Sequence, residues 1–230
     1  MKDEELARVK AETEDWTFMK TLPGEVYGFR LRRIEAARGD MYELFSYENG
    51  EACRSVTVYY HSETKEYKLR MNIGSFEFCR MEFITPDLVT MEDQLAARLD
   101  DLLEDMSAFR EEDADPLLAE KGILKWEYQA FLPDEMEGFS LFIRPTAPVP
   151  ITNGSHVVVD YEDFAIRSNF AIYYNVFRDI FFSDERVAGV PGMTYEFDAK
   201  SLRELEEKLT EKLAGKLREI RARAEEALSE

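Results

Sequence analysis

Trp16-x-Phe18-x-x-x-Leu22-Pro23-x-Glu25-x-x-Gly28-Phe29-x-Leu31 returns as Trp126-x-Tyr128-x-x-x-Leu132-Pro133-x-Glu135-x-x-Gly138-Phe139-x-Leu141, at an offset of 110 and without a gap. Seven of the 16 aligned positions are identical, where ordinary residue usage gives roughly one. Both tryptophans of the chain lie in this stretch. The reading is a tandem duplication, with copies over residues 1–113 and 114–230. Leu-Pro followed by Gly-Phe marks a helix-to-strand junction, and Gly28 and Gly138 are expected where backbone approaches closely at the strand entrance.

Outward from that stretch, Leu6, Val9, Thr13, Trp16 and Met19 recur at helical spacing and predict a helix over 3–20, stopped by Pro23-Gly24. Strands follow over 27–34, 41–47, 54–60, 67–73 and 76–84, each with period-two alternation. Glu48-Asn49-Gly50 reads as a type I′ hairpin turn, since Asn-Gly tolerates positive φ. In the last strand the apolar parity passes from Phe76 and Phe78 to Cys79, Met81 and Phe83, as a β-bulge would cause. Thr90, with Asp93 three residues on, reads as a helix N-cap. Met91, Leu95, Leu99, Leu102, Leu103, Met106 and Phe109 form the stripe of that helix.

Glu111 to Pro116 is an acidic boundary, with Asp115 capping a new helix that Gly122 interrupts before Trp126. In the second copy, Val157, Val159 and Tyr161 are equated with Val56, Val58 and Tyr60. Residues 145–154 and 187–192 read as loops, and a final helix over 199–228 carries Leu205, Leu209 and Leu213 in the places of Leu95, Leu99 and Leu103. Its end beyond Ile220 is polar and is expected to fray or project. The fold class is therefore α+β, a repeated α-β(4-5)-α unit whose antiparallel sheets carry helices on one face.

The chain has 230 residues, 45% hydrophobic and 33% charged, with a formal charge of −19. That charge repels nucleic acid and anionic membranes. Met1 to Glu5 is acidic with no apolar core of a leader, and no apolar run is long enough to span a bilayer; the expectation is a cytoplasmic protein. Cys53 and Cys79 have no counterparts in the second copy and read as buried thiols. His61 and His156 are too few for a histidine-based site. The carboxylates Asp160, Glu162 and Asp163, or Asp179, Asp184 and Glu185, match no calcium-loop pattern, and no metal or cofactor is expected. Nucleotide-binding, zinc-protease and nucleophile-elbow motifs are absent.

Strand parity places Arg30, Arg32, Lys68 and Arg70 on the outward sheet face of the first copy. In the second copy it places Phe142, Tyr173 and Phe177 there, with Ser140 and Ala171. A cationic half beside an apolar-aromatic half points to a non-catalytic interaction module, of adaptor, chaperone-like or regulatory type. It would present an open sheet face to a protein or peptide, the aromatics as anchors and the arginines as bidentate contacts. A homodimer through the sheet or the last helix fits the same reading. The alternative is a small-molecule binding protein with its pocket between sheet and helices or between the two repeats, the two loops serving as lids. An enzyme would need a convergent carboxylate or arginine set that the sequence does not reveal.

Overall fold

A computed structural model describes residues 2–229. Met1, from the acidic start, and Glu230, from the polar end, lie outside the described residues. The chain divides into two compact units, Met1–Ala108 and Phe109–Glu230, and both are α+β with antiparallel sheets.

In the first unit, α1 (Asp3–Glu14) gives way at Asp15 to a break and a single turn, α2 (Phe18–Thr21). The helix does not run on to residue 20 because Trp16 turns inward. It is buried, stacks on Phe18 at 5.4 Å and donates its indole N–H to Glu92 at 2.6 Å. Six strands follow as a meander in chain order: β1 (Glu25–Val26), β2 (Phe29–Arg38), β3 (Met41–Asn49), β4 (Arg54–His61), β5 (Glu66–Ile73) and β6 (Phe76–Thr85). The β3–β4 connection is a four-residue turn rather than a type I′ turn at Asn49-Gly50. The Asn49 carboxamide accepts from the Ala52 N–H at 3.0 Å, and the positive φ falls on Cys53.

Helix α3 (Leu88–Ser107) is capped by Asp87, whose carboxylate accepts the Thr90 N–H at 2.8 Å; Thr90 lies within the first turn. Its buried stripe is Leu88, Met91, Leu95, Leu99, Leu102, Leu103 and Met106, each fully buried side chain contributing roughly 1.5–3 kcal/mol. Phe109 lies past the helix end.

In the second unit, Asp115 caps α4 (Pro116–Lys121), and Gly122 at φ +84 terminates it. Two 3₁₀ turns, Ile123–Lys125 and Glu127–Phe131, carry Trp126 between them. The sheet contains β7 (Glu135–Met136), β8 (Phe139–Ile143), β9 (Val149–Pro150), β10 (Ser155–Asp163), β11 (Ser168–Asn175), β12 (Ile180–Val187) and β13 (Val190–Ala199). Its order is β7-β8-β10-β11-β12-β13, with β9 also on β10. Helix α5 (Leu202–Ser229) starts after Ala199, which ends β13, and continues through the polar stretch beyond Ile220. Leu205, Leu209, Leu213, Leu217 and Ile220 join Trp126, Phe139, Tyr161, Phe170, Phe181 and Phe197 in one packed core.

The repeated motif does the same structural work in each unit. Tyr27-Gly28 and Glu137-Gly138 all have positive φ and close two-residue hairpins, Val26↔Phe29 and Met136↔Phe139. The glycines thus serve a type I′ turn. The tryptophan N–H donates to Glu92 or Glu206, at 2.6 Å in both, and the Tyr47 and Tyr161 hydroxyls donate to the carbonyls of Pro23 and Pro133 at 2.7 and 2.8 Å. These pairs equate helix and strands at an offset of 114, so Met91 matches Leu205 and β10 matches β3. That corrects two alignments: β10 is not the counterpart of β4, and the helices are shifted by one turn from an offset of 110. The additional four residues lie in the β8–β10 connection. Nor is 187–192 a loop. Ala188-Gly189 is a two-residue turn, and Pro191 and Gly192 belong to β13, opposite Arg186 and Glu185.

Gly138 carries a second constraint. A Cβ there would meet the Arg221 guanidinium, which donates to the Glu137 carbonyl at 2.7 Å and to Asp163 at 2.6 Å and lies 5.1 Å from the Phe139 ring centroid. At Gly28 the nearest group is the Asn49 carboxamide, at 3.2 Å. Gly28→Ala is expected to cost about 1–2 kcal/mol through left-handed backbone alone, and Gly138→Ala more, because Arg221 is displaced. Chemical denaturation of both variants reads the difference; equal losses would mean that Arg221 contributes nothing there.

Candidate interaction surface

The register of the first sheet sets cross-strand rows on the face opposite the Val56–Val58–Tyr60 side: Arg30–Glu48–Ser55–Asn72–Glu77, Arg32–Ser46–Thr57–Arg70–Cys79 and Glu43–Tyr59–Lys68–Ile84. Arg30, Arg32, Lys68 and Arg70 therefore share one face, together with carboxylates from the same sheet. Arg30 pairs with Glu25 at 3.4 Å, Arg32 with Glu48 at 2.7 Å, Lys68 with Glu66 at 3.1 Å and Arg70 with Glu43 at 3.0 Å. Glu43 is buried and has Arg38 as a second cation at 3.2 Å. Arg70 also lies over the Tyr59 ring, whose hydroxyl meets the Cys79 sulfur at 3.5 Å. Arg30 and Arg32 are exposed, whereas Lys68 and Arg70 are largely enclosed. Cys53 and Cys79 are half-buried free thiols.

In the second unit, Phe142 sits at a register shift in β8 and packs edge-on against Phe164 at 5.6 Å. Tyr173 is only 5% exposed, stacked on Phe182 at 4.8 Å with its hydroxyl donating to Asp184 at 2.7 Å. Phe177 is not on a strand. It lies in the β11–β12 turn, exposed, over Gly154, where a Cβ would come within 2.5 Å of its ring.

The same face also carries acids. Asp160 and Asp184 flank Ala171 in the row Ile143–Asp160–Ala171–Asp184–Met193, and Glu162 is paired with Asn169. Asp160 is fully buried. One carboxylate oxygen accepts from Asn169 at 2.8 Å, and the other has no hydrogen-bond partner. Burial first, then the neighbouring Glu162 charge, pushes its carboxyl well above the usual range. Burial also raises Asp184 to about 6. The signal was present in the alternation: with Val159 and Tyr161 inward, Asp160 and Glu162 must share the other side.

Among the described residues no cluster of His, Cys, Asp and Glu has the geometry to hold a metal ion. Asp179 is engaged by Lys121 and Tyr174, and Glu185 by Lys216 and Arg223. His61 accepts from the Thr64 N–H at 3.4 Å; His156 is buried, which lowers its pKa. A groove of about 850 Å³ opens beside α1, lined by Glu5, Arg8, Asp40, Tyr60 and Lys65 among others. Its charges are mixed, and the Tyr60 hydroxyl already bonds Glu5 and Arg8. No described helix is long and apolar enough to cross a membrane.

Large exposed apolar side chains lie in turns and on helices, Val89, Phe131 and Phe177 among them, but on strands they are confined to β6 and β13. In β6, Arg80 to Phe83 span the single residue Leu69; in β13, Tyr195 to Asp198 span the single residue Phe182. Each excursion pushes one large side chain outward, Met81 at 80% and Tyr195 at 69% exposure, and returns a phenylalanine, Phe83 or Phe197, to the core. Outward Met81 corrects the inward parity read for it. Strand β13 adds Val190 and Met193, the latter 75% exposed and 3.9 Å from the Tyr195 hydroxyl through its sulfur. Comparison of the chain with models of known families, with curated proteins and with solved structures finds no match.

Proposed function

We propose that this chain is a non-catalytic protein-interaction module, of adaptor, chaperone-like or regulatory type, built by tandem duplication of one α+β unit. The observation that carries it is the open edge of the second sheet, where Val190, Met193 and Tyr195 stand exposed on one strand. An apolar group of this kind, on a rigid strand and beside carboxylates, is what an interface hot spot requires. The duplication reading rests on the matched tryptophan, tyrosine and hairpin geometry and on the matched excursions in β6 and β13. Ligand capture between sheet and helix finds less support, since Trp126, Phe170, Phe197 and the α5 leucines fill that space in the second unit.

The test is a photo-crosslinking side chain at position 195 of the full chain, with the same group at the exposed Phe131 as control. A discrete crosslinked partner at 195, absent at 131 and abolished by Met193→Ser, is the expected result. Equal or diffuse labelling at both positions would overturn the reading.

A further inference from the structure

We infer that the β13 edge docks an extended segment that alternates apolar residues with lysine or arginine; this deepens the interaction reading and rests on it. The argument begins with the backbone. Counting outward from the two-residue Ala188-Gly189 turn, Val187↔Val190 is a hydrogen-bonded pair, so the alternation turns the polar groups of residues 191 and 193 away from β12. Pro191 sits at such an outward position, where its missing N–H costs no ladder bond. Met193 therefore offers both a donor and an acceptor to a neighbouring strand, while Pro191 offers only a carbonyl. Past Thr194 the excursion carries the chain out of regular pairing. The edge is closed to open-ended strand addition at both ends, and one main-chain pairing slot remains between them.

Around that slot the side chains choose the occupant. Met193 and Tyr195 supply a thioether and an aromatic face. Glu196 is exposed beside them, and Asp184 stands opposite Met193 on the neighbouring strand. Within β13 itself the charged residues are Glu196 and Asp198, both acidic. The exposed Glu196 next to Tyr195 in the chain suits an ammonium or guanidinium group, Arg186 opposite Pro191 being the one cation of β12, and the methionine suits an aliphatic neighbour. A second copy of this chain is the poorer occupant: each copy has a charge of −19, and Pro191 with the excursion breaks any long edge-to-edge ladder. Strand addition of a short cationic-apolar segment satisfies both the backbone and the charge.

The experiment uses the full chain, isotope-labelled, with three synthetic peptides of equal charge: alternating Lys-Val, the same residues in blocks, and the alternating peptide N-methylated at every second residue. Amide shifts centred on Met193 to Glu196 with the alternating peptide are expected, with affinity reduced at least tenfold by blocking or N-methylation and by Tyr195→Ala. Equal binding of all three peptides, or shifts spread over the acidic helices, would show non-specific charge attraction and overturn the inference. No binding of any of them also overturns it. If crosslinking at 195 nonetheless yields a discrete partner, the interaction reading survives and only the cationic class of partner fails.

Discussion

Replacing Lys216 by alanine is expected to destabilise the second unit by up to about 3 kcal/mol, the low end of the range for breaking a buried ion pair, because Arg223 stays on Glu185. Lys216 lies on the inner stripe of α5, 7% exposed, and bonds Glu185 of β12 at 3.1 Å; Glu185 is itself 6% exposed. Arg223 and Glu219 extend the pair to solvent. In the first unit the same two positions, at the offset of 114, hold Leu102 and Met71, both buried. The scaffold thus accepts either chemistry. The double variant Lys216→Leu/Glu185→Met is accordingly expected to recover most of the loss, because a packed apolar pair needs no desolvation of charge. Urea unfolding followed by Trp126 fluorescence, in a Trp16→Phe background, isolates the second unit. A double variant no more stable than Lys216→Ala would show that the ion pair, not the volume it fills, holds α5 to the sheet.

That contrast shows what the sequence could and could not disclose. Alternation and helical stripes were readable because burial of one face imposes them, and the paired Trp-to-Leu stretches were readable because two hairpins need the same turn. The helix register was not readable from the middle of the stripe. Leu95, Leu99 and Leu103 meet leucines at either 110 or 114; the ends of the stripe separate the two, since at 114 Leu88, Met91 and Met106 meet Leu202, Leu205 and Ile220, and the Trp126–Glu206 bond agrees with 114. Val-x-Val-x-Tyr likewise occurs in β4 and β10, yet β10 is third from its sheet's first edge, because its neighbours are fixed by pairing across the sheet. Pro191-Gly192 read as a loop because proline removes a ladder donor; on an open edge that donor has no partner to lose. The candidate site was legible only in part. Parity placed Arg70 on its face, but parity is silent about Glu43 across the sheet, and it is that carboxylate which neutralises the guanidinium.

The second unit is expected to gain stability as pH falls from 8 towards 5.5, the reverse of ordinary acid denaturation. Asp184 titrates at about 6 when folded, against 3.8 for the unfolded chain. Between those values the folded state holds a proton that the unfolded state has released, so unfolding free energy falls as pH rises through this window. Above it the folded protein bears the full cost of the charge, about 3 kcal/mol for a shift of this size. Asp160 is shifted in the same direction by burial, and its penalty adds. The carboxylates whose pKa is lowered, Asp87 held by Thr90 and Asp179 by Lys121 among them, act oppositely. Their contribution is lost only below about pH 4, where the unfolded groups protonate; buried His156, whose pKa is lowered, opposes the gain within the window and offsets part of it.

Relief of the −19 charge would also favour acid, but repulsion between surface charges is screened by salt whereas a buried carboxyl is not. The slope should therefore persist in 0.5 M NaCl. Asp160→Asn keeps the shape and an acceptor for Asn169 while removing the charge. It is expected to raise the urea midpoint at pH 8 and to flatten the pH dependence, approaching the parent only as pH falls towards about 4, where the unfolded carboxylate is protonated too. A variant less stable than the parent at every pH, with the slope unchanged, would mean that Asp160 is ionised and paired in the folded chain. The acidic row of the second sheet would then be a stabilising network rather than a cost that the fold carries.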